Sequence, residues 1–502
     1  MNTAASRRIT RTVVALSLSA AIFSSTTTTA SASSDVPTPR SSFASTDVSA
    51  LVAEAHAAGT VPLAVVLDTG APTPRNKGQF GQDKAAAARA DAASSVADER
   101  AVRVRDKVLA TIKGMPGKGL RALAGSPYIS LKATEAEVKA LAHAPGVKAI
   151  FRDEPFSQSS TSSYGASAQL PSWWHYNRIG LDWTTKSGWI GTGQTVVIID
   201  SGVERNHPYL AGRVIYEACF STNTDGSGGC PNGQRSQTNV TGSAAPCTYS
   251  WGCAHGTHVA HIAAGQYGVA PGARIIAIRA SHKEWSTKTR GYEPMYSWSD
   301  VADALWFVYG PLPYTPASVN MSLGTDNGTT GYCDGAPAMK PMADGIAALS
   351  RDYRTATIIA SGNANFYNGV SFPACISTAI TVGNTTLQSA TSSADAVYGN
   401  VSSGSNSGPQ VDLLAPGTDI CSAVPTYLDN DGTADGLACG YIGTSMAAPQ
   451  VAGAYAVMRQ SRPSSTVQDV FLALNRRGTA VTDSRNGLVR TRISVSNAVY
   501  YW

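Results

Sequence analysis

Thr195-Val196-Val197-Ile198-Ile199-Asp200-Ser201-Gly202 is the stretch on which the fold turns. Val196 to Ile199 run without a polar interruption and stop at an acid, a serine and a glycine. A strand with one wet face alternates apolar and polar residues. An uninterrupted run belongs to a strand covered on both faces, the habit of parallel sheets. Further strand candidates lie at 273–280, 317–321, 356–360 and 379–382, and helical stretches begin near His255, Ser299, Lys340, Thr444 and Ser464. Strands alternating with helices predict an α/β domain, a parallel sheet flanked by helices. Composition does not change after Thr444, so no separate C-terminal domain is expected, and no solenoid-length repeat is visible.

Upstream the pattern differs. Residues 34–60 are rich in Ser, Thr, Pro and Ala and read as flexible. A β-type run at 62–68 is followed by an Ala-rich helix candidate at 84–112 and strand candidates at 120–124 and 128–133. Thr134-Glu135-Ala136-Glu137 fits a capping box and opens a second helix ending near Gly146. A last strand follows at 147–151. The order βαββαβ predicts a ferredoxin-like α+β sandwich of about a hundred residues. Residues 155–170, rich in Ser, Gln and Gly, read as an exposed, cleavable linker.

Composition excludes several classes. Of 502 residues 43% are hydrophobic, which rules out a wholly disordered chain. Residues 1–33 carry three Arg and no acid, residues 34–156 carry 16 basic against 13 acidic groups, and the remainder 20 against 21. A nucleic-acid binder would concentrate positive charge on its folded part, and here that part is neutral. Arg7, Arg8 and Arg11 precede the apolar run 13–23, and Ala30-Ser31-Ala32 forms a small-x-small site, so residues 1–32 read as an export signal. The run is too short to span a bilayer, so no membrane anchor is expected. All eight cysteines lie between Cys219 and Cys439. An even number in an exported chain implies disulfides, and no CxxC pair suggests zinc. The expected pairs are Cys421–Cys439, which closes a short loop, and Cys333–Cys375, with the other four joined among themselves.

Three residues carry candidate chemistry. Asp200 ends an apolar strand; His255 opens His255-Gly256-Thr257-His258-Val259-Ala260; Ser445 lies in Gly443-Thr444-Ser445-Met446-Ala447-Ala448-Pro449 at a helix start. Open α/β sheets bind ligands at the carboxyl ends of strands and beside helix N-termini. A serine needs a neighbouring base to become a nucleophile, and the base needs an acid to hold its tautomer. Each residue has a plainer reading: Asp200 as a turn residue, Ser445 as an N-cap, and His255, His258 and His261 as metal ligands. Their joint occurrence in these contexts favours the catalytic reading. Pro449 is expected within the first helical turn, where no N–H is needed.

These strings resemble, in order and separation, the Asp, His and Ser signatures of the subtilisin-like serine proteases (peptidase S8). Asn320-Met321-Ser322-Leu323-Gly324 is similar to that family's substrate-backbone strand, and Ala360-Ser361-Gly362-Asn363 to the segment bearing its oxyanion-hole asparagine. The resemblance spans about residues 180–499, and residues 60–155 resemble the family's I9-type inhibitory propeptide. It implies a secreted serine endopeptidase with Asp200, His255 and Ser445 as triad and Asn363 in the oxyanion hole. Ser322, Leu323, Gly324, Ser361 and Gly362 would bind substrate. The implied division is a signal peptide at 1–32, a propeptide at 33–160 (folded part about 60–155) and a catalytic domain at 161–502. Protein substrates, the chain's own propeptide as inhibitor and a monomeric state follow from the resemblance, as does chemistry without a cofactor.

Two departures stand out. The family usually has Gly after Val259-Ala260, whereas this chain has His261, which a neighbour must accommodate. The family's calcium ligands cannot be carried over residue by residue, although Asp429-Asn430-Asp431-Gly432-Thr433-Ala434-Asp435-Gly436 is a candidate loop for structural calcium beside its reading as a solvated loop. Two other functions compete with this one: a secreted binding protein on an inactive protease fold, and an α/β-hydrolase esterase. The second lacks a GxSxG elbow and has the wrong residue order.

Overall fold

Successive residues of the strand Thr195–Asp200 point into different cores. Val196 and Ile198 join one hydrophobic cluster with residues of the helices His255–Ala264 and Thr444–Ser461. Val197 and Ile199 join another with residues of the helices Trp298–Tyr309 and Lys340–Tyr353. The period-two alternation of a strand therefore serves two cores at once, which is why the run is apolar throughout. The strand Arg274–Arg279 divides likewise, Ile275 and Ala277 on one side and Ile276 and Ile278 on the other.

The structure is a computed structural model describing residues 47–70, 99–122, 126–158, 161–162, 179–386, 399–429 and 436–502. The export-signal candidate 1–32, most of the candidate calcium loop and the first part of the helix candidate 84–112 lie outside those residues. The described remainder of that helix is Glu99–Thr111. Thr195–Asp200 pairs in parallel with Arg274–Arg279 on one side and Ser318–Met321 on the other. Parallel pairing continues outward through Ala356–Ala360, Ile380–Thr385, Leu413–Pro416 and Val489–Arg492 on one flank, and to Val214–Phe220 on the other. Antiparallel edge strands, Thr479–Thr482 and Ser236–Thr238, close the ten-stranded sheet. The C-terminal residues thus belong to the main sheet. Among the described residues no helix is long and apolar enough to cross a membrane.

Upstream, the strands Lys118–Arg121, Tyr128–Ala133, Val61–Leu67 and Val147–Arg152 form an antiparallel sheet in that order. Here too alternation serves two partners. Val61, Leu63, Val65 and Leu67 pack with Val108, Val138 and Leu141 of the region's own helices. Ala64, Val66, Tyr128 and Phe151 instead share a core with the helix Trp298–Tyr309. The flexible reading of 34–60 is corrected over Val48–Ala58, which is helical. Asp47 caps it through Ser49 N–H at 2.9 Å, and Leu51 and Ala55, one turn apart, are buried.

The reading of 155–170 as an exposed linker is overturned where the chain is described. Pro155–Gln158 is a strand between Gly291–Ser297 and Leu323–Gly324, antiparallel to both. Tyr296 faces Phe156, Ser297 faces Pro155, Leu323 faces Gln158 and Gly324 faces Ser157. Phe156 is buried against Tyr296 and Trp298, which a free linker would leave in water. Thr161–Ser162 then pairs with Tyr441 and Ile442. Disulfides join Cys219–Cys230, Cys247–Cys253, Cys333–Cys375 and Cys421–Cys439. The last two pairs, and the grouping of the other four, are as expected from the sequence.

Candidate active site

Asp200, His255 and Ser445 all come from the sheet's carboxyl edge, each on a different element. Asp200 is the last residue of its strand. His255 opens its helix directly above, and Gly256 makes that approach feasible. A Cβ at Gly256 would lie 2.2 Å from the carbonyl oxygen of Gly202. Gly256 N–H also donates to Ser201 Oγ at 3.0 Å, tying the helix start to the turn after the strand. The result is His255 Nδ1 at 2.7 Å from Asp200 Oδ1, both residues buried. A carboxylate only accepts, so Nδ1 carries the hydrogen and Nε2 is left as the basic nitrogen. Nε2 has no hydrogen-bond partner among the described residues. Asp200 Oδ1 also accepts from Ser201 N–H at 2.7 Å and from the Tyr296 hydroxyl at 3.2 Å. Burial, then the nearby Asp200 charge, hold the Tyr296 phenol well above its ordinary range.

Ser445 is the second residue of the helix Thr444–Ser461, whose N-cap is Gly443. It is therefore not the capping residue. Its hydroxyl donates to the Ser322 carbonyl at 3.1 Å, so the contact with His255 that a proton transfer requires is not made here. Pro449 corrects the expectation attached to it: it lies past the first turn, inside the helix. The helical bond it cannot make is to the carbonyl four residues earlier, which is that of Ser445. Ser322 Oγ takes that acceptor instead, at 2.9 Å, and in turn accepts from Asn320 Nδ2 at 2.9 Å. Ser322 thus holds Ser445 from both ends.

Asn363 lies just beyond the strand Ala356–Ala360. Its side-chain oxygen accepts from Thr444 N–H at 3.0 Å and Thr444 Oγ1 at 3.1 Å. A backbone N–H can only donate, so the amide oxygen faces Thr444 and the NH₂ end points elsewhere. Gly362 has φ +101°, and a Cβ there would meet Ser371 Oγ at 2.1 Å, so the turn presenting Asn363 requires glycine. Gly362 N–H donates to Thr444 Oγ1 at 3.2 Å, and Ser361 Oγ donates to Asn406 O at 3.0 Å. Leu323 and Gly324 lie against Gln158 and Ser157, as described above.

Sequence reasoning missed Tyr296 and Asn406. Asn406 is buried, accepts from Ala364 and Phe366 N–H at 2.9 and 3.0 Å, and donates to Ser361 O at 3.0 Å and Ser371 Oγ at 2.9 Å. It fastens the turn bearing Asn363, yet in a Ser/Gly/Asn-rich stretch it looks like any loop residue. No pattern in the sequence pointed to Tyr296.

His258 and His261, on the same helix as His255, are buried in the core. His258 stacks on Tyr441 with ring centroids 4.0 Å apart. His261 Nδ1 accepts from Ala423 N–H at 3.0 Å, and Nε2 donates to Gln266 O at 2.8 Å. That satisfies the neutral ring, and burial drives its pKa down to about 4. The residue that departs from the expected Gly is therefore accommodated by Ala423 and Gln266. Among the described residues no group of three or more His, Cys, Asp or Glu could hold a metal ion.

Comparison with known proteins adds to this geometry. Residues 191–491 match the peptidase S8 family, described as the subtilase family. An extracellular protease of Xanthomonas campestris pv. campestris is 29% identical over 364 residues, covering 67% of this chain and 56% of the relative. Alkaline serine exoprotease A of Vibrio alginolyticus is 30% identical over 370 residues, covering 72% of this chain and 57% of the relative. The chain spans little more than half the length of these two relatives. Among solved structures, fervidolysin from Fervidobacterium pennivorans, a keratinolytic enzyme related to subtilisin, superposes with a TM-score of 0.58 at 20% identity, covering 88% of this chain and 61% of fervidolysin. At that identity the likeness speaks for the fold alone.

Proposed function

This chain belongs to the subtilase family, and on that premise we propose that it is a secreted serine endopeptidase made as a self-processing zymogen. One observation carries the reading. Pro155–Gln158 is hydrogen-bonded as an extended strand on both edges, and Thr161–Ser162 resumes on Tyr441 and Ile442, just before Ser445 in the chain. A groove that takes polypeptide by its backbone on either side of a serine reads extended peptide, and so favours protein substrates. Here its occupant is the chain itself.

In the proposed mechanism Ser445 turns its hydroxyl from the Ser322 carbonyl toward His255 Nε2. Oγ attacks the peptide carbonyl while Nε2 takes its proton. Asp200 Oδ1 holds the Nδ1–H and stabilises the imidazolium. Asn363 Nδ2 and the Ser445 N–H receive the oxyanion, aided by the positive potential of the helix N-terminus. The C–N bond breaks as His255 returns the proton to the leaving amine, and water releases the acyl-enzyme by the reverse sequence. This chemistry needs no cofactor.

Residues 1–32 would be the export signal, and 33–160 a propeptide whose antiparallel sheet, flanked by its own helices, is ferredoxin-like. Residues 161–502 would be the catalytic domain, acting as a monomer. The first cut falls between Gln158 and Thr161, and the released propeptide stays in the groove as an inhibitor until degraded. A structural calcium ion at the 429–436 loop is a separate proposal. A chelator that lowers the melting temperature would support it, and an unchanged melting temperature would remove it.

The test of the activity is a fluorophosphonate probe on the processed protein. Wild type should be labelled at Ser445, and Ser445→Ala and His255→Ala should not. Unlabelled wild type that still binds protein would favour an inactive protease fold serving as a binding module.

A further inference from the structure

Tyr296 touches both ends of the site. Its hydroxyl donates to Asp200 Oδ1 at 3.2 Å, the longest of the three bonds to that oxygen. Asp200 Oδ2 has no hydrogen-bond partner among the described residues, so the carboxylate is oriented through Oδ1 alone. The ring of the same tyrosine stacks on Phe156 of the segment in the groove, centroids 5.7 Å apart and planes at 25°. Trp298 packs on Phe156 as well, with centroids 4.7 Å apart and planes at 36°. Tyr296 is fully buried, and its backbone is paired directly with that of Phe156.

One rigid side chain, with two soft torsions, therefore spans from the peptide being read to the acid that orients His255. When the Phe156 place holds a large flat residue, the ring is packed and the phenol is held against Asp200. When that place holds a small residue, the ring loses a packing partner, and the longest of the three bonds to Oδ1 is the one most easily given up.

We propose that Tyr296 is a positioning residue that couples the substrate residue in the Phe156 place to the Asp200 carboxylate, so that an aromatic residue there raises kcat and not affinity alone. This rests on the protease reading above. Ordinary pocket filling would stabilise ground state and transition state alike and would change KM only. Coupling through Asp200 acts on the imidazolium that forms in the transition state, and so appears in kcat.

The experiment uses the processed enzyme, with active sites counted by fluorophosphonate titration. Two peptides are compared that differ only in Phe or Ala at the place equivalent to Phe156, on wild type and on Tyr296→Phe, which keeps the ring and removes the hydroxyl. Wild type should turn over the Phe peptide with a kcat about tenfold above the Ala peptide, a difference of one hydrogen bond's order. In Tyr296→Phe that kcat ratio should fall to within about twofold while the KM ratio persists, because ring stacking remains. A wild-type preference confined to KM overturns the proposal without any variant. So does a Tyr296→Phe enzyme that keeps the full kcat ratio. A wild type that takes no probe and cleaves neither peptide overturns the protease reading itself, and the coupling with it.

Discussion

The carbonyl of Ser445 is where helix chemistry and site chemistry meet. Pro449 withholds the helical donor, and Ser322 Oγ takes the vacant place at 2.9 Å while its own carbonyl receives the Ser445 hydroxyl at 3.1 Å. A proline that looks merely tolerated therefore frees the carbonyl of the residue one turn before it. Asn363 is fixed from the same corner by Thr444. Asn363→Ala should lower kcat by about 10²–10³ with KM little changed, measured on a peptide ester and amide. Equal loss in KM would instead give Asn363 a role in ground-state binding. Two buried groups away from the triad set opposite pH dependences. His261, pushed down to about 4 by burial, is neutral in the fold but protonated when unfolded, so its contribution is lost as pH falls from about 6.5 toward 4. Asp412, pushed up to about 6 by burial, binds a proton in the fold that the unfolded chain releases, so its contribution is lost as pH rises toward 6. Between pH 4 and 6 these slopes oppose each other. In a Ser445→Ala background, Asp412→Asn should raise the melting temperature at pH 7 and leave it unchanged near pH 4. His261→Gln should do the reverse. Each difference is on the order of 2 kcal/mol. Melting curves with the same offset at every pH would contradict both assignments.

Among elements, the N-terminus of the helix Trp298–Tyr309 is where the upstream region and the main sheet are joined. Asp153 accepts from Ser299 N–H at 3.2 Å. Arg121 pairs with Asp303 at 2.6 Å and with Asp300, all three side chains buried. Removing one partner of a buried pair leaves charge without compensation. Arg121→Ala in the full Ser445→Ala chain should cost about 3–5 kcal/mol, read as earlier thermal release of residues 47–152 from protease protection. An unchanged midpoint would mean the pair contributes no net stability. How much of this was legible depends on range. Runs such as Val196–Ile199 announce strands because covering both faces forces every position to be apolar. Thr134 and Glu137 announce a helix start because a capping box is local, and it forms with Thr134 N–H on Glu137 Oε2 at 2.7 Å. Arg121 and Asp300 are 179 residues apart, and nothing in either neighbourhood names the other. The strand Pro155–Gln158 was missed for the same reason: Ser- and Gln-rich sequence reads as linker until the groove that pairs with it is known. The helix Val48–Ala58 hid in an Ala/Ser-rich stretch whose only cues were Asp47 and a two-residue apolar stripe.

At the scale of the whole molecule, two cores share one sheet, and a third core sits upstream on a sheet that shares residues with the second. The chain then passes through its own groove on the way from one region to the other. Asp200, His255 and Ser445 were readable as a candidate site because each sits in a short string whose glycines and small residues suit close approach, as Gly256 over Gly202 illustrates. Tyr296 and Asn406 were not, because they act across contacts that no local string encodes. The central claim is that the chain occupying the groove is the first substrate of Ser445. It is tested most directly by intact-mass and N-terminal mapping of the wild-type chain beside Ser445→Ala. The account predicts that wild type is cut between Gln158 and Thr161, while Ser445→Ala keeps residues 47–158 joined to the rest. Identical cleavage in both, or none in either, would contradict it.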